Sequence, residues 1–556
     1  MAQRGRLFTI LSSGAAIAAV AVVLASPAFG QYTAVGVYEY PITSNNTYGI
    51  TNTSLMAQGP DGNLYMTDQL DGEYGLGSVY NISPSGEFST VFSFCAEGGG
   101  CVDTGALPDG GVTLGSDGNF YGTVQNGGAH GFGQVFKVTP EGVHTAVYNF
   151  TGANPGDGGV PVYPVFLVGS DLWGVQTSSY CGGVFKLTLK GAISNFPLAA
   201  TACDNGNYPN LPTEGSDGNF YGTTQTGGGS PCQPGCGVVY KVTPAGKITI
   251  LYRFQGTTDG SYPQGVLVEG TDGNYWGITQ QGNPNYGTIF KISSKGTFSV
   301  VHTFTGGTNG GGAPAGLTLG SDGNFYGIAE GGPYNAGMIF QVTPAGDFTT
   351  LYGFVAAAGP PGFGPCTVLF QHTNGKFYGN TCGNSLGDTG FFYSFDVGLP
   401  PFVRTIAQSG KVGATVEFLG QDFTGATKVE FGGGAPATFK VVSGSELTAV
   451  VPAAAVTGVV SVITSTGTLT ATSKFKVLPT IKSISPTSGP VGTLVTITGT
   501  GLTGATKVTV DGKLASFTFV SGTEITVTVP STAATGKIVV TTAGGTATSM
   551  TFTVTT

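Results

Sequence analysis

Charged side chains are scarce, only 9% of 556 residues, where an average soluble domain carries about 25%. That scarcity excludes a coiled coil, a helical bundle or a charged disordered tail, all of which need far more Glu, Lys and Arg. Positive charge is the scarcer sign: 21 Lys and Arg against 30 Asp and Glu leave a net −9. With no basic patch in view, neither nucleic acid nor anionic membrane is expected as a partner. The four histidines lie far apart, and neither a phosphate loop nor a Gly-x-Ser-x-Gly elbow in a strand-to-helix setting is present. One long hydrophobic run exists, near the start, so no membrane span is expected after it.

What is abundant is Gly, at 96, joined by 31 Pro. Hydrophobic residues still reach 40% and aromatics 11%, including 23 Tyr and 36 Phe, enough apolar surface to offset chain entropy. The combination predicts a large, turn-rich, all-β protein.

Residues 1–30 read as a signal peptide. Arg4 and Arg6 precede an apolar stretch from Leu7 to Leu24, and Ala28-Phe29-Gly30 offers small residues for cleavage. The mature protein is expected to be secreted, extracellular or cell-surface, and monomeric. Eight cysteines in the exported part suit an oxidising compartment. Proximity pairs Cys95 with Cys101, Cys181 with Cys203, Cys232 with Cys236, and Cys366 with Cys382. The last two lie equally far from Asn374 in a predicted Asn-Gly hairpin, which would set them opposite one another. Zinc at Cys232 and Cys236 would need two more ligands that the loop lacks, so no metal and no cofactor is expected.

Internal repeats decide the architecture. Ser116-Asp117-Gly118-Asn119-Phe120-Tyr121-Gly122 returns at Ser216, Thr271 and Ser321, with weaker copies at Pro60, Gly169 and Asn374. The second aromatic marks seven copies, at Tyr65, Tyr121, Trp173, Tyr221, Trp276, Tyr326 and Tyr378. Each copy holds an apolar run, an Asp-Gly-Asn turn, a returning Phe-Tyr-Gly strand, a variable Gly-rich loop, an alternating third strand, a Pro-x-Gly turn and a fourth strand. Seven four-stranded units make a seven-bladed β-propeller over residues 31–398. The seventh copy lacks a fourth strand, and Val37-Tyr38-Glu39-Tyr40 carries that pattern, so the N-terminal strand should complete the last blade and close the ring.

Beyond Pro401 the composition turns to Val, Thr, Ala and Gly, and two copies of about eighty residues follow, the size of immunoglobulin-like sandwiches. Residues 399–478 and 479–556 resemble IPT/TIG domains. The second carries the opening Pro479-Thr480-Ile481-Lys482-Ser483-Ile484-Ser485-Pro486, whereas the first lacks its Ser-Pro at Ile406 to Gly410. Residues 31–398 resemble the GloVer-type tandem repeat proteins of bacterial exteriors, through Gly-Ser-Asp-Gly-Asn-Phe-Tyr-Gly and Phe-Lys-Val-Thr-Pro-x-Gly. That resemblance implies a location and an architecture, and no activity.

In a propeller the two short turns of each copy share one face, and the long variable loops share the other, where binding is expected. Four residues past the marker aromatics stand Gln69, Gln125, Gln225, Gln280 and Glu330, a polar ring suited to a glycan. Loop aromatics Tyr74, Phe132, Tyr180, Tyr286 and Tyr334 could assist at the channel mouth. The opposing interpretation is that these amides satisfy loop backbone. Asp61, Asp117, Asp217, Asp272 and Asp322 sit in Asp-Gly-Asn turns, where Asp bonds its own backbone rather than calcium. The expectation is therefore a non-catalytic binding or scaffold protein, with no catalytic residue assigned and an extracellular polysaccharide or surface protein as partner. Alternatives are a propeller-type lyase or hydrolase acting on an extracellular glycan, with acid and base among Glu330, Asp68 and His130, or a structural surface spacer.

Overall fold

Strands, turns and loops dominate the computed structural model, which describes residues 22–23, 32, 34–39, 55–70, 72–95, 101–152, 157–177, 181–198, 203–229, 235–282, 286–311, 316–355, 363–382 and 391–556. Two short 3-10 turns, Gly307–Asn309 and Phe423–Gly425, interrupt them. The first two-thirds form seven small antiparallel sheets, one per repeat. Blade 2 is typical: Ala106–Leu114, Phe120–Asn126, Gln134–Val138 and His144–Asn149 pair in sequence order.

The turns form for local reasons. Gly118 takes φ 74°, its N–H donates to the Gly115 carbonyl at 3.0 Å, and Asp117 accepts from the Asn119 N–H at 3.2 Å. The recurrent aspartates are thus turn-formers, and the marker aromatics cap them. Tyr65, Tyr121, Tyr221 and Tyr326 donate to Asp61, Asp117, Asp217 and Asp322 at 2.7–3.0 Å.

The same aromatics weld blade to blade. Tyr65 stacks on Phe120, Trp173 on Phe220, Tyr221 on Tyr275, and Trp276 on Phe325, with ring centroids 3.9–4.4 Å apart. Tyr326 meets Phe377 at 4.4 Å. Where the first aromatic is replaced by Leu, Tyr121 shares a core with Leu172, and Tyr378 with Leu64, so the contact runs through all seven junctions. Each aromatic pair adds about 0.5–1.5 kcal/mol beyond its buried area.

A second joint recurs at the blade-to-blade loops. Leu107, Val160, Tyr208 and Tyr262 each precede a proline and adopt φ of 53–57°, strained for such side chains. The N–H groups of Leu107, Val160 and Tyr262 donate to Leu76, Phe132 and Cys236 carbonyls at 2.9–3.1 Å. The prolines lie on glycines of the preceding blade: a Cβ on Gly133, Gly182 or Gly237 would meet Pro161, Pro209 or Pro263 at 2.7–2.8 Å.

Ring closure follows the expected route. Ala34–Glu39 pairs antiparallel with Phe391–Phe395 as the fourth strand of blade 7. Of the expected signal peptide only Val22–Val23 lies within the described residues, paired with Gly36 and Val35 beyond that strand; the cleavage region lies outside them. Among the described residues no helix is long and apolar enough to cross a membrane.

Two sandwiches complete the chain. In the first, Arg404–Thr405, Thr415–Leu419, Glu446–Val450 and Phe439–Val441 face a sheet containing Ser409–Lys411 and Thr468–Leu478 in parallel. The second repeats this strand order, with Ser488–Gly489 parallel to Gly545–Val554. The first sandwich abuts the propeller's turn face. Ser445 donates to the Pro60 carbonyl at 2.7 Å, Gln421 to Thr373 at 2.9 Å, and Lys476 lies 3.7 Å from Glu214.

Disulfides join Cys95 to Cys101 and Cys181 to Cys203. Cys236 and Cys366 are also disulfide-bonded, while Cys232 and the side chain of Cys382 lie outside the described residues. The hairpin argument for Cys366 and Cys382 needs correction. Phe370 faces Tyr378, but Pro365 faces Thr381 and Phe363 faces Cys382. The ladder slips between Gln371 and Pro365, so equal counting from the turn no longer places the two cysteines opposite each other.

Candidate functional site

The innermost strands enclose a cavity of about 560 Å³ on the propeller axis. Its walls include Leu55, Met56, Val266, Leu317, Val368 and Leu369. Gln264, Gln280, Glu330 and Cys366 stand at the loop end, and Phe370, Gln371 and Arg404 at the turn end.

Around the loop end the expected glutamines come together with polar residues of the first strands. Gln125 donates to Asp109, which also bonds Gln69. Tyr163 donates to Asn210 at 2.6 Å, and Gln225 reaches the same oxygen at 3.4 Å. Gln264 lies 3.5 Å from Gln280. The glutamines therefore bond side chains of an inner polar column rather than loop backbone. Burial pushes the Asp109 carboxyl up to about 6, against the lowering pull of Gln125 and Gln69, and pushes the Tyr163 phenol up to about 12.

Asp109, Asn210 and Gln264 were not singled out from the sequence. The signal was available: each follows the proline of a blade joint, in Pro108-Asp109, Pro209-Asn210 and Pro263-Gln264.

The loop aromatics behave differently, and none of those described lines the cavity. Phe132 is exposed and lies over Gly152 and Gly159, and Tyr286 is exposed over Gly306 and Gly311. Both rings cover the loop leaving the fourth strand. Tyr74 is half-buried, Tyr334 packs beside Gly353, and Tyr180 lies outside the described residues. Glu330 is exposed at the cavity rim, whereas His130 is an exposed loop residue. Asp68 is buried and accepts the Leu70 N–H at 2.8 Å, a turn role.

The remaining histidines are structural. His302 stacks on Phe348 at 3.8 Å and meets Asn309 at 3.1 Å, as Tyr252 stacks on Phe298 and donates to Asp259. His144 stacks on Phe92. Among the described residues no three His, Cys, Asp or Glu are grouped to hold a metal ion.

The Gloeobacter/Verrucomicrobia repeat model matches residues 2–181 and 175–393, more than half of the chain. The chain belongs to this repeat family. An IPT/TIG domain matches residues 479–554, the copy whose opening carries the Ser-Pro. No curated protein matches the chain. Among solved structures, a protein from a xyloglucan utilization locus of Bacteroides uniformis is 22% identical, with TM-score 0.15, over 27% of this chain and 48% of its own. A surface glycan-binding protein of Prevotella bryantii is 18% identical, with TM-score 0.21, over 27% and 41%. A putative 6-phosphogluconolactonase, also of Bacteroides uniformis, is 16% identical, with TM-score 0.38, over 57% and 88%. The chain spans less than half the length of the first two, and likenesses this remote decide nothing about activity.

Proposed function

We propose that the loop face of the propeller recognises an extracellular polysaccharide, with the two sandwiches acting as its carrier. The observation that carries this reading is the amide column at the loop end of the axis. Gln69, Gln125, Gln225 and Gln280 hold paired donors and acceptors in fixed directions, the chemistry that hydroxyl-rich ligands require. The first sandwich occupies the turn face, which supports recognition from the opposite side. The test is a polysaccharide panel scored for binding and reducing-end release together, with and without divalent metal. Binding that falls at least tenfold in a Gln125→Ala/Gln225→Ala double variant supports the reading; undiminished binding overturns it.

A second reading rests on Asp109, whose carboxyl burial raises to about 6 beside Gln125 and Gln69, the direction a general acid requires. On that reading the protein is a glycan lyase or hydrolase. Release of reducing ends by the native protein, lost in Asp109→Asn with binding retained, would establish it over plain recognition.

A further inference from the structure

Arg404 sits at the turn end of the axial cavity, carried there by the segment that links propeller to sandwich. Its guanidinium donates to the Gln371 carbonyl at 3.0 Å and lies 4.8 Å from the Phe370 ring and 5.7 Å from the Phe402 ring. Among the described residues no carboxylate forms an ion pair with it. A guanidinium carries five N–H donors, and a half-buried cation beside apolar walls favours an anion that can reach it. Burial lowers its affinity for a proton.

The cavity is long as well as apolar. Cys366 at one end and Gln371 at the other lie on the same blade 7 segment, with Val368, Leu369 and Phe370 between them on the wall. Between the ends, Leu55, Met56, Val266, Leu317, Val368 and Leu369 supply apolar wall, with Thr318 among them. The open end differs: Gln264 and Gln280 present amides, and Glu330 presents a negative charge.

We propose that this cavity binds an elongated, mainly apolar monocarboxylate, its carboxylate forked on Arg404 and a neutral hydroxyl at its far end on Gln264 and Gln280. The bidentate pairing of carboxylate with guanidinium fixes the direction of entry. Glu330 repels a second carboxylate at the mouth, which excludes diacids. The apolar body is held by burial alone, so affinity rises with chain length until the axis is filled. The site meets the amide column only at Gln280, and its apolar body and Arg404 do not depend on polysaccharide recognition.

The test is calorimetric titration of the full chain with 10-hydroxydecanoate, 1,10-decanediol and decanedioate, all below their aggregation limits. The expected result is one bound 10-hydroxydecanoate per chain, with the diol and the diacid each at least tenfold weaker. Arg404→Gln should weaken the hydroxy acid at least tenfold and leave the diol unchanged. Because Arg404 also ties propeller to sandwich, Val266→Trp, which fills the axis away from that joint, provides the second variant and should abolish binding of all three. Equal affinity for acid and diol, undiminished binding to Val266→Trp, or no binding of any probe by the native protein would overturn the proposal. Polysaccharide binding measured on the same variants stays intact if the two sites are separate.

Discussion

Gln58 and Thr373 stand 315 positions apart in sequence and exchange two hydrogen bonds across the ring seam, Gln58 Nε2 donating to Thr373 Oγ1 at 2.8 Å and the Thr373 N–H donating to Gln58 Oε1 at 3.1 Å. The clasp is a repeat feature: Gln371 holds Ser321 in the same manner, and Glu269 holds Ser216. At the seam it joins blade 1 to blade 7, the blade whose fourth strand comes from the N-terminus. Gln58→Ala leaves the buried Thr373 N–H without its acceptor and should destabilise the propeller by about 1–3 kcal/mol. Gln371→Ala leaves the Ser321 N–H, which is only half-buried, without its acceptor and should cost less. Urea denaturation of both variants checks the order, and an equal cost would mean that burial of the Thr373 N–H adds nothing to the penalty.

Val160 offers a substitution expected to stabilise. It holds φ 53°, which β-branched side chains avoid and Asn tolerates, and the strain is retained for its N–H bond to the Phe132 carbonyl at 2.9 Å. Val160→Asn should therefore raise stability by about 1 kcal/mol. Gly133→Ala should do the reverse, by about 2 kcal/mol or more, because Gly133 holds φ 91° and its Cβ would press on Pro161. Thermal unfolding of the pair reads both signs in one experiment.

The blade aromatics were legible from the sequence because two adjacent aromatics recur at one period, and stacking needs both. The glutamine column was legible for the same reason. Its partners Asp109, Asn210 and Gln264 were not, since they vary in type and follow a proline that reads only as a loop marker. Phe132 and Tyr286 show the opposite error: loop position predicts exposure but not direction, and both rings turn onto neighbouring glycines instead of the axis. Arg404 belongs to no repeat, so nothing in the periodicity points to it. The hairpin count that set Cys366 opposite Cys382 assumed an unbroken ladder, which one irregularity defeats.

Tyr121 and Asp117 give a sharper version of the turn argument. Asp117 accepts from Tyr121 and from the Asn119 side chain and backbone, bonds that together hold its carboxyl below the usual range against the opposing effect of burial. Tyr121→Phe removes one donor and should cost about 1 kcal/mol. Added calcium should change neither the native protein nor the variant. A calcium-dependent rise in melting temperature that Asp117→Asn abolishes would restore the metal reading of these turns.

Two groups at the joint between propeller and first sandwich should give pH dependences of opposite sign. His372 is buried at the seam, where the Gly62 carbonyl takes its Nε2 and the Asn374 N–H donates to its Nδ1. Burial lowers its folded value from 6.5 to about 4, so the folded state binds fewer protons, and the stability it supports is present above pH 6.5 and lost as pH falls towards 4. The shift corresponds to about 3 kcal/mol. Glu417 behaves in reverse. It lines a cavity with Glu446, Asp61, Asp117 and Glu141, and burial, then Glu446 and Asp117, raise it from 4.5 to about 7. Its contribution is full below pH 4.5 and lost as pH rises through 7. Glu417→Gln should therefore flatten the alkaline limb of the stability profile and leave the acid limb, whereas His372→Gln should remove the acid limb alone. Urea midpoints from pH 4 to 8 separate the two, and a Glu417→Gln profile that kept the native alkaline loss would show that the joint's carboxylates remain solvated.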